Sequence, residues 1–216
     1  MSVGVIATLG VGTYVLTRNG GGDAVEPTSE RFARLAARPL DLPRHLASSD
    51  GCELAVDAVK LPGIPGEGAL APVSAGNQPR APKGPIYAGL GGIPRTTGVL
   101  DPPSGGAWGI AAPETLWISD PSYRGLVVIR GGRLDGEDRI RFGRGRHPQL
   151  ELRLGEAGWR EEEGLRQHGG PVRPPKGWRV ATGVTRIRST GCYAFQVDGE
   201  RFSYTLPFFA THLSDE

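Results

Sequence analysis

The chain has 216 residues, enough for one all-β domain with extensions, and its 34 Gly and 19 Pro imply many turns and long loops. Twenty-five basic residues against 23 acidic ones leave a net charge of +2. That balance gives no electrostatic case for a nucleic-acid partner, which needs a clustered basic face. Basic side chains do gather between Arg139 and Arg146, but Glu137, Asp138 and Glu151 flank them, so a solvated strand face is expected there.

Val3 to Leu16 is uncharged and mostly apolar. It falls short of the roughly 20 residues of a membrane helix and lacks the positive start of a signal peptide. Three readings stand: a signal peptide or anchor that begins upstream of Met1, a short membrane helix extended by its flanks, or a buried segment of a soluble domain. Gly20 to Gly22 form a flexible joint, which favours a tether. Residues 1–17 are therefore expected to be an apolar anchor or signal, and 18–49 a linker with a short helix. That helix should span 27–37, with Ser29 as N-cap and Phe32, Leu35 and Ala36 on one face. Arg38-Pro39 should end it.

A β domain is expected over 50–210, with a polar tail at 211–216. Its first strand is Cys52 to Val59. Residues 61–106 are dense in Pro and Gly and read as a long excursion around a short strand at 85–88. Long loops of this kind are often functional. Strands are then expected at 107–111, 114–119, 125–130 (central, apolar on both faces), 138–142 (burying Ile140 and Phe142) and 149–154 (burying Leu150, Leu152 and Leu154). After a polar stretch at 156–176 comes a strand at 178–188. The closing run from Thr190 to Phe209 reads as a hairpin turning at Asp198-Gly199, a type I′ signal. Tyr193, Phe195 and Val197 share one face, and Phe202, Tyr204, Leu206 and Phe208 alternate with polar residues. Such spacing predicts a β-sandwich.

Two cysteines, Cys52 and Cys192, each stand where a strand starts. We expect a disulfide between them, with two buried free thiols as the alternative. The bond would close a loop of roughly 140 residues and stabilise the fold by up to about 5 kcal/mol in the chain-entropy model. It would also imply an oxidising compartment.

Several segments carry a resemblance: Arg38-Pro39-Leu40, Cys52, Gly84 to Tyr87, Trp117 to Gly125, Val128 to Gly136 and Gly191 to Gly199. Together they resemble a group of uncharacterised bacterial exported proteins, lipoprotein-like or signal-anchored, with an immunoglobulin-like β-sandwich. The resemblance covers residues 38–210 and implies a fold and an export route, but no activity. No lipobox cysteine stands near the N-terminus, which points to a protein anchor in place of a lipid.

Catalytic and metal signatures are weak. His45, His147, His168 and His212 have no ligand-type spacing and read as surface residues. Asp120, Asp135 and the Glu161 to Glu163 run could suggest paired carboxylates, but turn and loop roles fit them better. Asp120-Pro121-Ser122-Tyr123 reads as a β-turn. No catalytic, cofactor-binding or metal residue is assigned. Aromatic side chains are the better lead: Trp108, Trp159, Trp178, Tyr87 and Tyr123 form a possible interaction surface, whereas Trp117 reads as core. The expectation is a non-catalytic exported binding or accessory module. It would be held at a membrane through residues 1–17, facing the periplasm or exterior, or secreted, with protein partners in an envelope assembly. A secreted carbohydrate-binding module is the alternative.

Overall fold

In the computed structural model, residues 26–48, 51–52, 84–90, 99–100, 110–143, 147–160, 165–167, 170–172 and 176–210 are described. The helix α1 (Thr28–Ala36) comes first. It is followed by β1 (Ala47–Ser48), β2 (Gly51–Cys52), β3 (Ile86–Leu90), β4 (Val99–Leu100), β5 (Ile110–Ser119), β6 (Val127–Arg133) and β7 (Arg141–Phe142). Then come β8 (Leu152–Leu154), β9 (Leu165–Gln167), β10 (Gly170–Val172), β11 (Arg179–Ile187), β12 (Gly191–Gly199) and β13 (Phe202–Ala210). The fold is mostly β, as expected.

Two sheets carry the architecture. One has the order β3-β5-β11-β7 and the other β4-β13-β12-β6-β8, antiparallel throughout except for the β13–β4 pair. One apolar cluster draws on both. Ile86, Trp117, Phe142 and Ile187 come from the first sheet, and Ile129, Phe195, Leu206 and Phe208 from the second. Trp117 is fully buried, and its ring meets Phe195 edge-on at 5.0 Å between centroids. Phe195 in turn stacks on Phe208 at 4.6 Å. The period-two alternation of β12 and β13 thus fills the space between the sheets. The strand expected to be central, β6, does lie between β12 and β8.

Gly131 explains one close approach. It faces Phe195 across the ladder, and a Cβ there would stand 2.5 Å from the Ala194 carbonyl oxygen and 2.6 Å from Ile140 Cδ1. Only hydrogen fits, which lets Ile140 reach the core.

Several expectations need correction. The closing turn is not at Asp198-Gly199. Gly199 pairs with Phe202, so Glu200 and Arg201 form the loop, and Gly199 is not among the glycines with positive φ. The Phe202 ring lies over Gly199, where a Cβ would meet it at 2.3 Å, and Asp198 is drawn into the strand by ionic partners. The strands expected at 107–111 and 114–119 are one strand from Ile110 onward. Glu114 faces Val184 and Ala111 faces Arg186, so Ala112 and Pro113 oppose Thr185 alone. This bulge accommodates a proline that has no N–H to donate.

Leu150 is 52% exposed and not core, because pairing in its segment begins only at Leu152. The stretch 156–176 contains the β9–β10 hairpin, which its polar composition concealed. The helix falls within the expected span 27–37, but Pro27 and not Ser29 stands at the N-cap. The strand expected over 52–59 is described only at Gly51–Cys52, where it pairs with β1. Its remainder, most of the excursion at 61–106, residues 1–17 and the tail at 211–216 lie outside the described residues.

Residues 28–47 do not behave as a linker. The second sheet has an outer face too, and this segment covers it. Phe32, Leu35 and Ala36 pack on Leu126 and Val128. Leu42, Leu46 and Ala47 pack on Leu134, Cys192 and Ala194. Both clusters are apolar burial that the sheet face alone would leave wet.

Candidate functional site

The strap formed by residues 28–47 is fastened by charge as well as by apolar contact. Asp198, on β12, is fully buried. Its Oδ2 lies 2.6 Å from Arg130 Nη2 on the neighbouring strand. Ser203 donates to Oδ1 at 2.7 Å, and Gln196 Nε2 donates to both oxygens at 3.1 Å. Two of these partners, Arg130 and Gln196, also bond the strap. Arg130 Nη1 donates to the carbonyls of Ala36 and Arg38 at 2.9 and 2.6 Å. Gln196 donates to Pro39 O at 2.9 Å and accepts from the Asp41 N–H at 2.7 Å. Arg38 Nη1 reaches the carbonyls of Gly199 and Phe202 at 2.8 and 2.9 Å and stands 3.8 Å from Asp198 Oδ1. Arg31 pairs with Glu200 at the hairpin tip. A buried carboxylate needs this many partners, since an unpaired one would be prohibitively costly.

The strap also makes one wall of a pocket of about 240 Å³. Leu40, Asp41, Leu42 and Arg44 face Gly132, Arg133 and the turn from Gly136 to Arg139. The turn is held by Arg133 N–H donating to Asp138 O at 2.8 Å and by a bridge between Gly132 and Arg139. Arg133 is committed: it pairs with Asp135 at 2.5 Å and donates to Ser189 Oγ at 2.8 Å. The hydrogen bond between Arg133 and Asp135 holds the Asp135 carboxyl below the usual range and raises the Arg133 guanidinium.

Of the four described aromatic residues expected at an interaction surface, two are buried. Tyr87 is 4% and Trp159 7% exposed. Tyr87 sits in β3 against Trp178, ring centroids 6.2 Å apart, and Trp159 lies under the Arg179 guanidinium at 5.2 Å. Both are therefore packing residues: β3 turns Tyr87 inward, and Trp159, which caps the short turn Glu156–Gly158, is covered by Arg179. Trp178 and Tyr123 are half-buried. Tyr123 packs edge-on against Phe202 at 4.9 Å, donates to Leu126 O at 2.6 Å and accepts from Glu200 N–H at 3.1 Å. Trp108 lies outside the described residues.

Asp120 starts the turn expected of it: Tyr123 N–H donates to Asp120 O at 3.1 Å, and Ser122 N–H to Asp120 Oδ1 at 2.8 Å. Among the described residues, no group of three or more His, Cys, Asp or Glu is placed to hold a metal. His45 and His147 are exposed.

Sequence reasoning missed Arg38, Arg130, Gln196 and Asp198. A signal existed, since Arg130 and Asp198 are charged residues inside otherwise apolar strands. The Asp-Gly pair was absorbed by a turn reading instead. Cys192 is buried in β12 and is not a free thiol. The strand carrying Cys52 lies against β12, but the Cys52 side chain falls outside what is described.

No protein-family model matches the chain, no curated protein matches its sequence, and no solved structure matches its fold. Among the described residues, no helix is long and apolar enough to cross a membrane.

Proposed function

We propose that this chain is a non-catalytic exported binding or accessory module. It would be an immunoglobulin-like sandwich closed by Cys52–Cys192, held at a membrane through residues 1–17, that docks on a protein partner in an envelope assembly. The observation that carries the reading is the strap. The segment that follows the apolar N-terminus is locked to the sheet by Arg38, Arg130, Gln196 and Asp198. Whatever holds the N-terminus would therefore hold the domain through only the short joint around Gly20 to Gly22, which suits a subunit tethered close to its assembly.

The disulfide has two supports. Cys192 is buried and is not a free thiol, and the chain has one other cysteine. Ala47, which faces Cys52 across the β1–β2 ladder, packs in the Cys192 cluster. A carbohydrate-binding module would need an exposed row of rings, and the burial of Tyr87 and Trp159 removes two of its candidates.

Membrane fractionation tests the reading. The full chain should sediment with membranes, resist carbonate extraction and co-purify with a stoichiometric protein after detergent release. A chain starting at residue 26 should remain soluble and lose that protein. A full chain that stays soluble and alone would overturn the proposal.

A further inference from the structure

The pocket between strap and turn carries four charges that have not found one another. Asp41, Glu137 and Arg139 have no side-chain ion pair or hydrogen bond among the described residues, and Arg44 makes only a 3.3 Å bond to the Gly136 carbonyl. Two are anions and two are cations, yet none lies within 4 Å of an opposite partner in the pocket. The other two charges lining it are engaged. Arg133 is neutralised by Asp135, and Asp138 faces Arg188 at 3.7 Å. Leu40, Leu42 and Gly132 complete the lining.

The backbone of both walls is fixed before any ligand arrives. Gln196 holds the Asp41 backbone, Leu42 packs over Gly132, and the turn closes on its own backbone bonds. Rigid walls lower the cost of ordering on binding. Opposite charges held apart on rigid elements are completed by a ligand that carries both signs. A volume of about 240 Å³ lies below the usual range for drug-sized ligands and suits something as small as a dipeptide.

We propose that this pocket binds a small zwitterionic peptide. Its carboxylate would lie against Arg44 and Arg139, and its ammonium group against Asp41 and Glu137. The planar guanidinium fork suits a carboxylate. The inference deepens the binding reading by naming a ligand chemistry, and it rests on that reading only in treating the domain as a binder. Failure here would leave membrane retention and partner co-purification untouched.

The test is amide-shift titration of the isotope-labelled full chain in detergent, following Gly132 and Gly136. Alanyl-alanine should give saturable shifts. Its N-acetyl and C-amide forms should each bind at least tenfold more weakly. Arg139→Gln should erase the difference between the free and amidated peptides, and Asp41→Asn that between the free and acetylated ones. Unchanged resonances elsewhere show that both variants are folded. Absence of saturable shifts, equal binding of the capped forms, or variants that retain the full discrimination would each overturn the proposal.

Discussion

Arg130 and Asp198 sit on adjacent strands, two residues off register, with Nη2 and Oδ2 2.6 Å apart. The same guanidinium reaches the Ala36 and Arg38 carbonyls, so one ion pair joins β6, β12 and the strap. Substituting Asp198→Ala leaves Arg130 buried without its counter-charge, and Arg38 loses one too. Breaking a buried pair on one side costs about 3–5 kcal/mol. Chemical denaturation should show a loss of that size, whereas Arg34→Ala, whose exposed partner is Glu26, should cost under about 1 kcal/mol. Equal, small effects from both would mean that the strap is not held by Asp198.

Gly131→Ala is expected to be destabilising out of proportion to one methyl group. The added Cβ meets the Ala194 carbonyl oxygen at 2.5 Å, and backbone inside a central strand cannot swing aside as a side chain would. Overpacking costs about 1–3 kcal/mol, and thermal unfolding should register it. Gly158→Ala is the control, since its nearest neighbour would be 3.6 Å away.

Alkaline pH should weaken the fold. Tyr204 donates its hydroxyl to Ile86 O at 2.6 Å and accepts from Ile86 N–H at 2.9 Å, joining β13 to the edge of the other sheet. Burial pushes this phenol well above its ordinary value, and burial raises Tyr87, Tyr123 and Tyr193 as well. In the unfolded chain each titrates near about 10. A raised folded value means the stabilisation is complete below that pH and is lost as pH climbs through the folded value. Denaturation midpoints should hold steady up to about pH 9 and fall above pH 10. Tyr204→Phe should flatten part of that fall while weakening the protein at neutral pH.

The proposed Cys52–Cys192 bond predicts a chain two hydrogens lighter by intact mass before reduction than after. Cys192→Ser should lower stability, by up to about 5 kcal/mol in the loop-entropy model. Two alkylatable thiols in unreduced, denatured protein would remove both the bond and the argument for an oxidising compartment.

Much of the fold was legible because strand alternation and burial coincide. Tyr193, Phe195, Leu206 and Phe208 alternate in the sequence and all face the intersheet core. The strap was not legible, since Arg38 to Leu46 has no period of its own and gains meaning only from Gln196 and Asp198, about 155 residues away. Asp198 itself was misplaced because Asp-Gly is a strong turn signal. Here the ionic partners hold the aspartate in the strand, and the glycine makes room for the Phe202 ring. The pocket depends on the same distant contact, so no local pattern could announce it. Trp159 stands beside a polar stretch and so suggests a surface residue, and only the β11 residue Arg179 above it explains its burial.

The strap's integration with the sheet is the claim on which the rest depends. Native-state hydrogen exchange on the full chain measures it directly. The Asp41 amide, bonded to Gln196 Oε1, should be protected and should open together with the amides of β12 in one cooperative unit. Fast exchange of Asp41 and its strap neighbours, with β12 still protected, would contradict the account.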